Sequence, residues 1–133
     1  MTLRVVTPSD RMDDVASGAM WRQAAISERT TGSKVLWVGY VELAPGMRSA
    51  YHHHGESESA IYIISGRARF LTGDRLEEFH DATTGDFVWV PPFVGHVEMN
   101  LSEDEPVRMV VARSTQEGIV VNLPDPVELE EGR

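Results

Sequence analysis

Residues 51–58 have the sequence YHHHGESE, and three of the five histidines of the chain stand side by side in this segment. If the segment is extended, alternate side chains share a face, so His52 and His54 project the same way while His53 projects oppositely. Two imidazoles on one face of a strand provide half of a metal site. Glu58 continues the same parity beyond the turn that Gly55 favours, and its carboxylate is a candidate to complete the donor set.

A second segment, residues 85–100, supplies a distant partner for these histidines. It has the sequence GDFVWVPPFVGHVEMN, which predicts an apolar strand, a proline corner and a lone histidine at the start of another strand. Such a strand can bring His96 to the first two imidazoles. Glu98 lies two positions further along the same face, and it is either a buried acid near the metal or an ordinary exposed or ion-paired glutamate.

Strand signals dominate the rest of the chain. Short β-branched and aromatic runs are separated at regular intervals by glycine, proline and polar turns. The predicted strands are 35–43, 60–64, 67–71, 87–90, 96–100 and 107–113. The best helical pattern, over residues 10–25, is weak and contains Gly18. This spacing predicts an all-β sandwich or barrel.

Large apolar side chains on the predicted strands are expected to lie in the core or to line a cavity. They are Trp37, Tyr62, Phe87, Trp89 and Met99.

The two segments together resemble the cupin superfamily. Its first motif, with glycines around a His-x-His and a glutamate, is matched by Gly46, His52, His54, Glu58 and Gly66. Its second motif is matched by Gly85, Pro91, His96 and Asn100. The resemblance implies a double-stranded β-helix, which is the jelly-roll or cupin barrel. It also implies a metal ion inside that barrel, held by His52, His54, Glu58 and His96.

The sequence departs from the family pattern at two places. Phe93 stands where the second motif usually has glycine, which we expect to reshape the corner without changing the ligand. One extra residue separates Glu58 from Gly66, so counting back from Gly66 selects Ser59. Either a bulge absorbs the extra residue and Glu58 is a ligand or a catalytic base, or Ser59 takes the register and the site has histidines only. We prefer Glu58, because bulges are common beside functional sites.

Composition excludes several other kinds of protein. The chain has no cysteine, so disulfides, thiolate metal sites and cysteine nucleophiles are ruled out. Its net charge of -9 repels nucleic-acid phosphates and anionic lipid surfaces, so neither is an expected partner. No apolar run approaches the roughly 20 residues of a membrane span, and the first residues lack a secretion signal. We therefore expect a cytoplasmic protein.

Three parts of the chain are predicted to differ in role. Residues 1–33 form an N-terminal arm with a short helix or edge strand, residues 34–123 form the barrel, and residues 124–133 form an acidic tail. The arm has apolar residues that need a cover, and we expect it to support a homodimer, with its own sheet as the alternative cover. These residues are Met12, Val15, Met20, Trp21 and Ile26.

The resemblance implies one divalent metal ion per chain, which can be Fe, Mn, Ni, Cu or Zn. We expect a small-molecule enzyme, such as a dioxygenase that acts on a small organic acid, a diketone or a phenolic compound. The alternatives are a metal-dependent isomerase or lyase, and a non-catalytic protein that binds or stores a small molecule. The fold alone does not separate them, because it supports many functions.

Overall fold

The fold is built almost entirely from short β-strands. A computed structural model of the chain describes residues 2–14 and 20–126. The strands are β1 (Met12–Asp13), β2 (Met20–Ile26), β3 (Trp37–Leu43), β4 (His52–His53), β5 (Ser59–Ser65), β6 (Arg67–Thr72), β7 (Glu78–Thr83), β8 (Phe87–Val90), β9 (His96–Asn100), β10 (Val107–Arg113) and β11 (Val121–Asn122). The helical elements are a 3₁₀ turn (Pro8–Asp10) and one α-helical turn, α1 (Glu28–Thr31). Within the described ranges, no helix has the length and apolar character that a membrane crossing requires.

The strands form two antiparallel sheets. One has the order β1-β2-β3-β10-β5-β8, and the other has the order β11-β4-β9-β6-β7. Strands that pair are often far apart in the chain, as β3 is from β10 and β4 is from β9. The predicted all-β jelly roll is therefore confirmed.

The core lies between the sheets, because the long strands alternate buried and more exposed side chains. Val41 and Leu43 on β3 are buried, as are Ile61 and Ile63 on β5. Each aliphatic side chain of this size contributes about 1.5 to 3 kcal/mol when it is removed from water. The two sheets are thus held together by apolar side chains on alternate positions of their facing strands.

Strand β9 is buried at all five positions, unlike the other strands. β9 is the middle strand of the five-stranded sheet. Alternate side chains of a strand face opposite ways, so His96, Glu98 and Asn100 lie on one face. Val97 and Met99 lie on the other face, where they pack in a second apolar cluster. Glu98 is therefore a buried acid, and the exposed alternative does not apply.

Asn100 ties the end of β9 to two neighbouring loops. Its side-chain amide donates to three backbone carbonyl oxygens, those of Leu43, Ala44 and Glu105 at 3.1, 3.2 and 2.8 Å. Its own carbonyl oxygen accepts from the backbone amide of Ser102 at 2.8 Å. Because the residue is buried, these bonds replace water for groups that would otherwise be unpaired.

The described part of residues 10–25 contains strands and no α-helix, which corresponds to the edge-strand alternative for the arm. β2 runs through the end of this range and pairs with β3, and its Met20 and Ala24 are buried. Pairing with β3 therefore overrides the weak helical pattern. Met20 is covered by the chain's own sheet, whereas Trp21 is 44% exposed. Val15 lies outside the described residues, as do residues 127–133 of the acidic tail, and the homodimer stays a prediction.

Three of the aromatic residues expected in the interior are on the outside. Phe87 and Trp89 are 78% and 64% exposed, and Tyr62 is 37% exposed. The smaller Val88 and Val90 take the inward positions of β8, because alternate side chains of a strand face opposite ways. Trp37 and Met99 are buried as expected.

Strand β7 was not anticipated from the sequence. It pairs with β6 along its whole length, but only Ala82 among its residues is buried. A polar outer strand of this kind lacks the apolar alternation by which strands are recognised.

Phe93 provides a test of backbone strain at the proline corner. It has φ 62°, in the left-handed region that glycine adopts freely. We expect Phe93→Gly to be more stable than Phe93→Ala by about 1 kcal/mol. A residue with a Cβ costs about 1 to 2 kcal/mol in the left-handed conformation. Glycine makes the unfolded chain more flexible, which offsets only part of that difference. Urea unfolding of the two variants measures the difference, and equal stability would contradict the strain.

Asn100→Asp provides a test of the amide contacts at the end of β9. We expect it to lower the free energy of unfolding by about 3 kcal/mol or more, because a carboxylate cannot donate to three carbonyl oxygens and places a charge against them. The exposed Asn122 on β11 offers the matched control, Asn122→Asp, which should change stability by less than about 0.5 kcal/mol. Similar losses in both variants would show that the contacts are unimportant.

Candidate metal centre

Three histidines meet inside the barrel. His52 on β4 pairs directly with His96 on β9, and their ring centroids are 4.5 Å apart. His54 follows β4, and its ring centroid is 4.8 Å from that of His52 and 5.3 Å from that of His96. The expectation that His52 and His54 share a face with His96 thus matches the geometry.

Each of these imidazoles is oriented by a backbone carbonyl. The Nδ1 atoms of His52, His54 and His96 are within hydrogen-bond distance of carbonyl oxygens, which can only accept. The acceptors are Ala50, Ile119 and Val94, at 2.7, 2.8 and 3.0 Å. Nδ1 therefore has the proton in the neutral rings, and Nε2 keeps a lone pair for a metal.

Burial keeps two of the imidazoles neutral at pH 7. It is the main cause of the lowered pKa of His52, and it lowers the pKa of His54 to about 4. Burial also opposes the charged form of His96, but its pKa is raised because the carboxylate of Glu98 lies beside it. The cluster has lone pairs available in a low-dielectric interior.

Glu98 is placed at the edge of the cluster. Its Oε1 lies 3.6 Å from Nε2 of His96, and its Oε2 is buried with no hydrogen-bond partner among residues 2–14 and 20–126. Burial alone would raise its pKa, but the neighbouring imidazoles lower the pKa of Glu98 to about 2. A buried carboxylate with an unpaired oxygen is costly unless a cation or a donor completes it.

Glu58 is not brought to the histidines. It is exposed, and its Oε1 accepts a hydrogen bond of 3.0 Å from the indole N–H of Trp89. β5 begins at Ser59 and turns Ser59, Ile61 and Ile63 inward, so the preceding residue faces outward. Ser59 therefore takes the inward register, which was the second of the two alternatives.

The remaining histidines also lie outside the cluster. His53 accepts a hydrogen bond from the backbone amide of Gly55, and its ring lies 5.9 Å from that of Phe93. His80 is exposed on β7.

Two arginines that the sequence analysis did not single out line the cavity. A small cavity of about 40 Å³ contains the three histidines and Glu98, and a larger one of about 440 Å³ lies beside it. Arg22 and Arg113 line both. Strand parity would have indicated Arg113, which shares a face with Val111 on the predicted strand 107–113. Arg22 had no such signal, because its segment was not predicted as a strand.

The donor set fits one first-row divalent ion. One candidate ligand atom from each of the three histidines lies within 4.8 Å of the other two. Imidazole nitrogens bind such ions at about 2.0 to 2.1 Å, so small rotations of the rings are enough to bring them to a common centre. The unpaired Nε2 of His96 and Oε2 of Glu98 are the kind of buried atoms that a bound cation would satisfy.

Comparison with solved structures supports the fold. The polyketide cyclase RemF from Streptomyces resistomycificus matches 98% of this chain and 90% of its own length, at 16% identity and a TM-score of 0.77. The oxalate decarboxylase OxdC of Bacillus subtilis, as an S161A mutant, matches 82% of the chain at 24% identity and a TM-score of 0.68, over 29% of its own length. The Lactobacillus farciminis oxalate decarboxylase gives 19% identity and a TM-score of 0.71, over 86% of this chain and 34% of its own.

Sequence comparison identifies the family. No curated protein matches the chain closely enough to be counted as a relative. The profile of the Cupin domain matches residues 39–113, which contain all three histidines of the buried cluster. The chain therefore belongs to the Cupin domain family.

Proposed function

We propose that this chain is a metal-dependent enzyme that converts a small organic molecule at His52, His54 and His96. The observation that carries the proposal is the shared orientation of the three rings. Each Nδ1 lies against a backbone carbonyl oxygen, which leaves the three Nε2 lone pairs for one ion. Rings that only filled space in the core would not need to bring three ligand atoms within 4.8 Å of one another.

The donor set favours a first-row transition metal. Neutral imidazole suits Fe, Ni, Cu and Zn, whereas Ca and Mg prefer oxygen ligands. The oxalate decarboxylase of Bacillus subtilis has Mn(II) centres, which supports including manganese. Three protein ligands leave one or more positions open for substrate.

Glu98 is the carboxylate that we assign to this site in place of Glu58. It shares the cavity with the histidines, and its Oε2 lacks a hydrogen-bond partner in the described part of the chain. In the folded chain its charge offsets part of the positive charge of a divalent ion. It can act as a further ligand or as an acceptor for a substrate hydroxyl group.

The proposed reaction is a dioxygenase reaction on a small organic acid, a diketone or a phenolic compound. Fe(II) at three imidazoles would bind substrate oxygen atoms and activate dioxygen beside them. The chain's own contribution is an apolar wall on part of the pocket, because Met20, Ile61, Val90 and Val111 line the cavity around the histidines. Exclusion of water strengthens electrostatic interactions at the site.

A reaction without dioxygen is the second candidate. Glu98 favours it, because a buried carboxylate beside the histidines can take a proton from a substrate polarised at the same centre. The polyketide cyclase and the oxalate decarboxylases that share the fold support including isomerase, lyase and cyclisation chemistry.

The first test concerns metal binding by the histidines. We expect His96→Ala, purified without a histidine tag and loaded with Fe, Mn or Zn, to retain less than about a tenth of the metal of the unaltered chain, because it loses a ligand of a three-ligand site. His53→Ala is the matched control and should keep its metal. Elemental analysis decides, and full metal content in His96→Ala would contradict the assignment.

The second test compares the two glutamates. We expect Glu98→Gln to weaken metal binding about 10- to 100-fold, as for other groups that support a metal site, because it removes a charge next to the ion. Glu58→Gln should leave affinity unchanged, because its side chain is exposed and faces Trp89. Competition with a chelator measures both, and the reverse order would restore Glu58 as the ligand.

The third test measures the reaction. The Fe(II) form should consume dioxygen with at least one member of a panel containing a β-diketone, a flavonoid, a thiol acid and a catechol, and His96→Ala should not. Dioxygen uptake and product mass are recorded together. Turnover without dioxygen would favour the second candidate. Binding without turnover across the Fe, Mn, Ni and Cu forms would favour a binding or storage protein.

A further inference from the structure

Arg22 and Arg113 stand between the histidine cavity and the larger cavity beside it. Both line the 40 Å³ cavity that contains the histidines and the 440 Å³ cavity that opens next to it. The inner cavity has room for only a few small ligand atoms, because one water molecule needs about 10 to 15 Å³ measured in this way. A molecule that reaches the histidines from the larger cavity therefore extends past the two guanidinium groups.

Arg113 is held in place by its surroundings. Its guanidinium lies 3.9 Å above the ring centroid of Trp37, and its Nε and Nη2 donate to the carbonyl oxygens of Thr115 and Gln116 at 3.0 and 2.7 Å. The ring of Trp37 in turn covers Gly39, where a side chain would collide with it. Such support fixes a long side chain at low entropic cost to a ligand.

Arg22 is directed into the same space without a protein partner for one of its atoms. Its Nε is buried and has no hydrogen-bond partner within residues 2–14 and 20–126. β2 pairs it with the core residue Val41, so its side chain starts from the inner face of the sheet. A buried N–H without an acceptor is unfavourable, and a bound acceptor would remove that cost.

The two cations lie close enough to affect one another. Burial is the main cause of the lowered pKa of Arg113, which is about 10, and the charge of Arg22 adds to it. Asp14 acts in the opposite direction, so the repulsion is partly offset. Arg113 stays charged at neutral pH, because this pKa lies well above 7. Asp14, Glu28 and Arg29 also line the outer cavity.

We propose that Arg22 and Arg113 bind the carboxylate of an organic acid whose other end enters the histidine cavity. The proposal rests on the proposed function, because it makes the bound acid the substrate of the metal site. Guanidinium groups suit this role, because their planar donors match the two oxygens of a carboxylate. In a chain of net charge -9, the two guanidinium groups thereby offer cationic donors to an acidic substrate.

The test measures binding to metal-free protein, so that it does not depend on turnover. Calorimetry compares the binding of three acids with that of their neutral amides. The three pairs are benzoate with benzamide, 3,4-dihydroxybenzoate with 3,4-dihydroxybenzamide, and malonate with malonamide. We expect at least one acid to bind about tenfold or more tightly than its amide, because charged hydrogen bonds are lost in the amide. If no acid is preferred over its amide, the proposal is overturned, whatever the metal and dioxygen experiments give.

Variants then assign the preference to the two arginines. Arg22→Gln and Arg113→Gln should each remove about tenfold of the affinity for the acid and little of that for the amide. Arg29→Gln is the matched control, because Arg29 lines only the outer cavity. If Arg113→Gln does not fold, Arg22→Gln decides alone. An equal loss of acid affinity in Arg29→Gln would show that the preference is a diffuse effect of positive charge. It would overturn the assignment to Arg22 and Arg113. If the unaltered chain takes up no metal in the loading experiment but still prefers the acid, the arginine site stands and the enzyme proposal is refuted.

Discussion

The antiparallel pairing of β4 with β9 places His52 directly opposite His96, and the candidate site depends on this one contact. The two residues come from segments that are distant in the chain, and the pairing of neighbouring strands within the five-stranded sheet brings them together. His54 joins them because it follows His52 by two residues and because its Nδ1 is held by the carbonyl of Ile119 at 2.8 Å. The loop before β11 is therefore part of the site, although it contributes no ligand. Ligand orientation by main-chain carbonyls makes the site as rigid as the backbone that surrounds it.

The interior of this barrel is electrostatically unlike the chain as a whole. The net charge is -9, yet Arg22 and Arg113 line a cavity in which Glu98 is the buried acid. Net charge governs solubility and long-range steering, whereas the groups that surround a cavity govern what binds there. The charge argument against nucleic acids and anionic lipids therefore says nothing about small anions. In a dry interior each charge acts more strongly than at the surface.

The matches to the family motifs differ in what they do. Asn100 is structural, because its side chain connects β9 to the loops after Leu43 and before Pro106. Gly66 is also structural, because a Cβ there would meet the backbone of Pro106 and Val107 at φ 99°. The corner residue Phe93 keeps a left-handed conformation without glycine. A motif position can thus be retained for the fold, for the ligand, or for the backbone conformation alone.

The sequence by itself determined the all-β class, most strand positions and the three histidines, because a period of two and the His-x-His spacing are local properties of the chain. It left open whether Glu58 or Ser59 takes the inward position next to the histidines, and it misplaced Phe87 and Trp89. Both follow because a one-residue change of register exchanges the two faces of a strand. Only the tertiary structure decided that Glu98 accompanies the histidines and that Arg22 and Arg113 meet. These groups lie on β9, β2 and β10, and their proximity follows from how the sheets close, which no local pattern records.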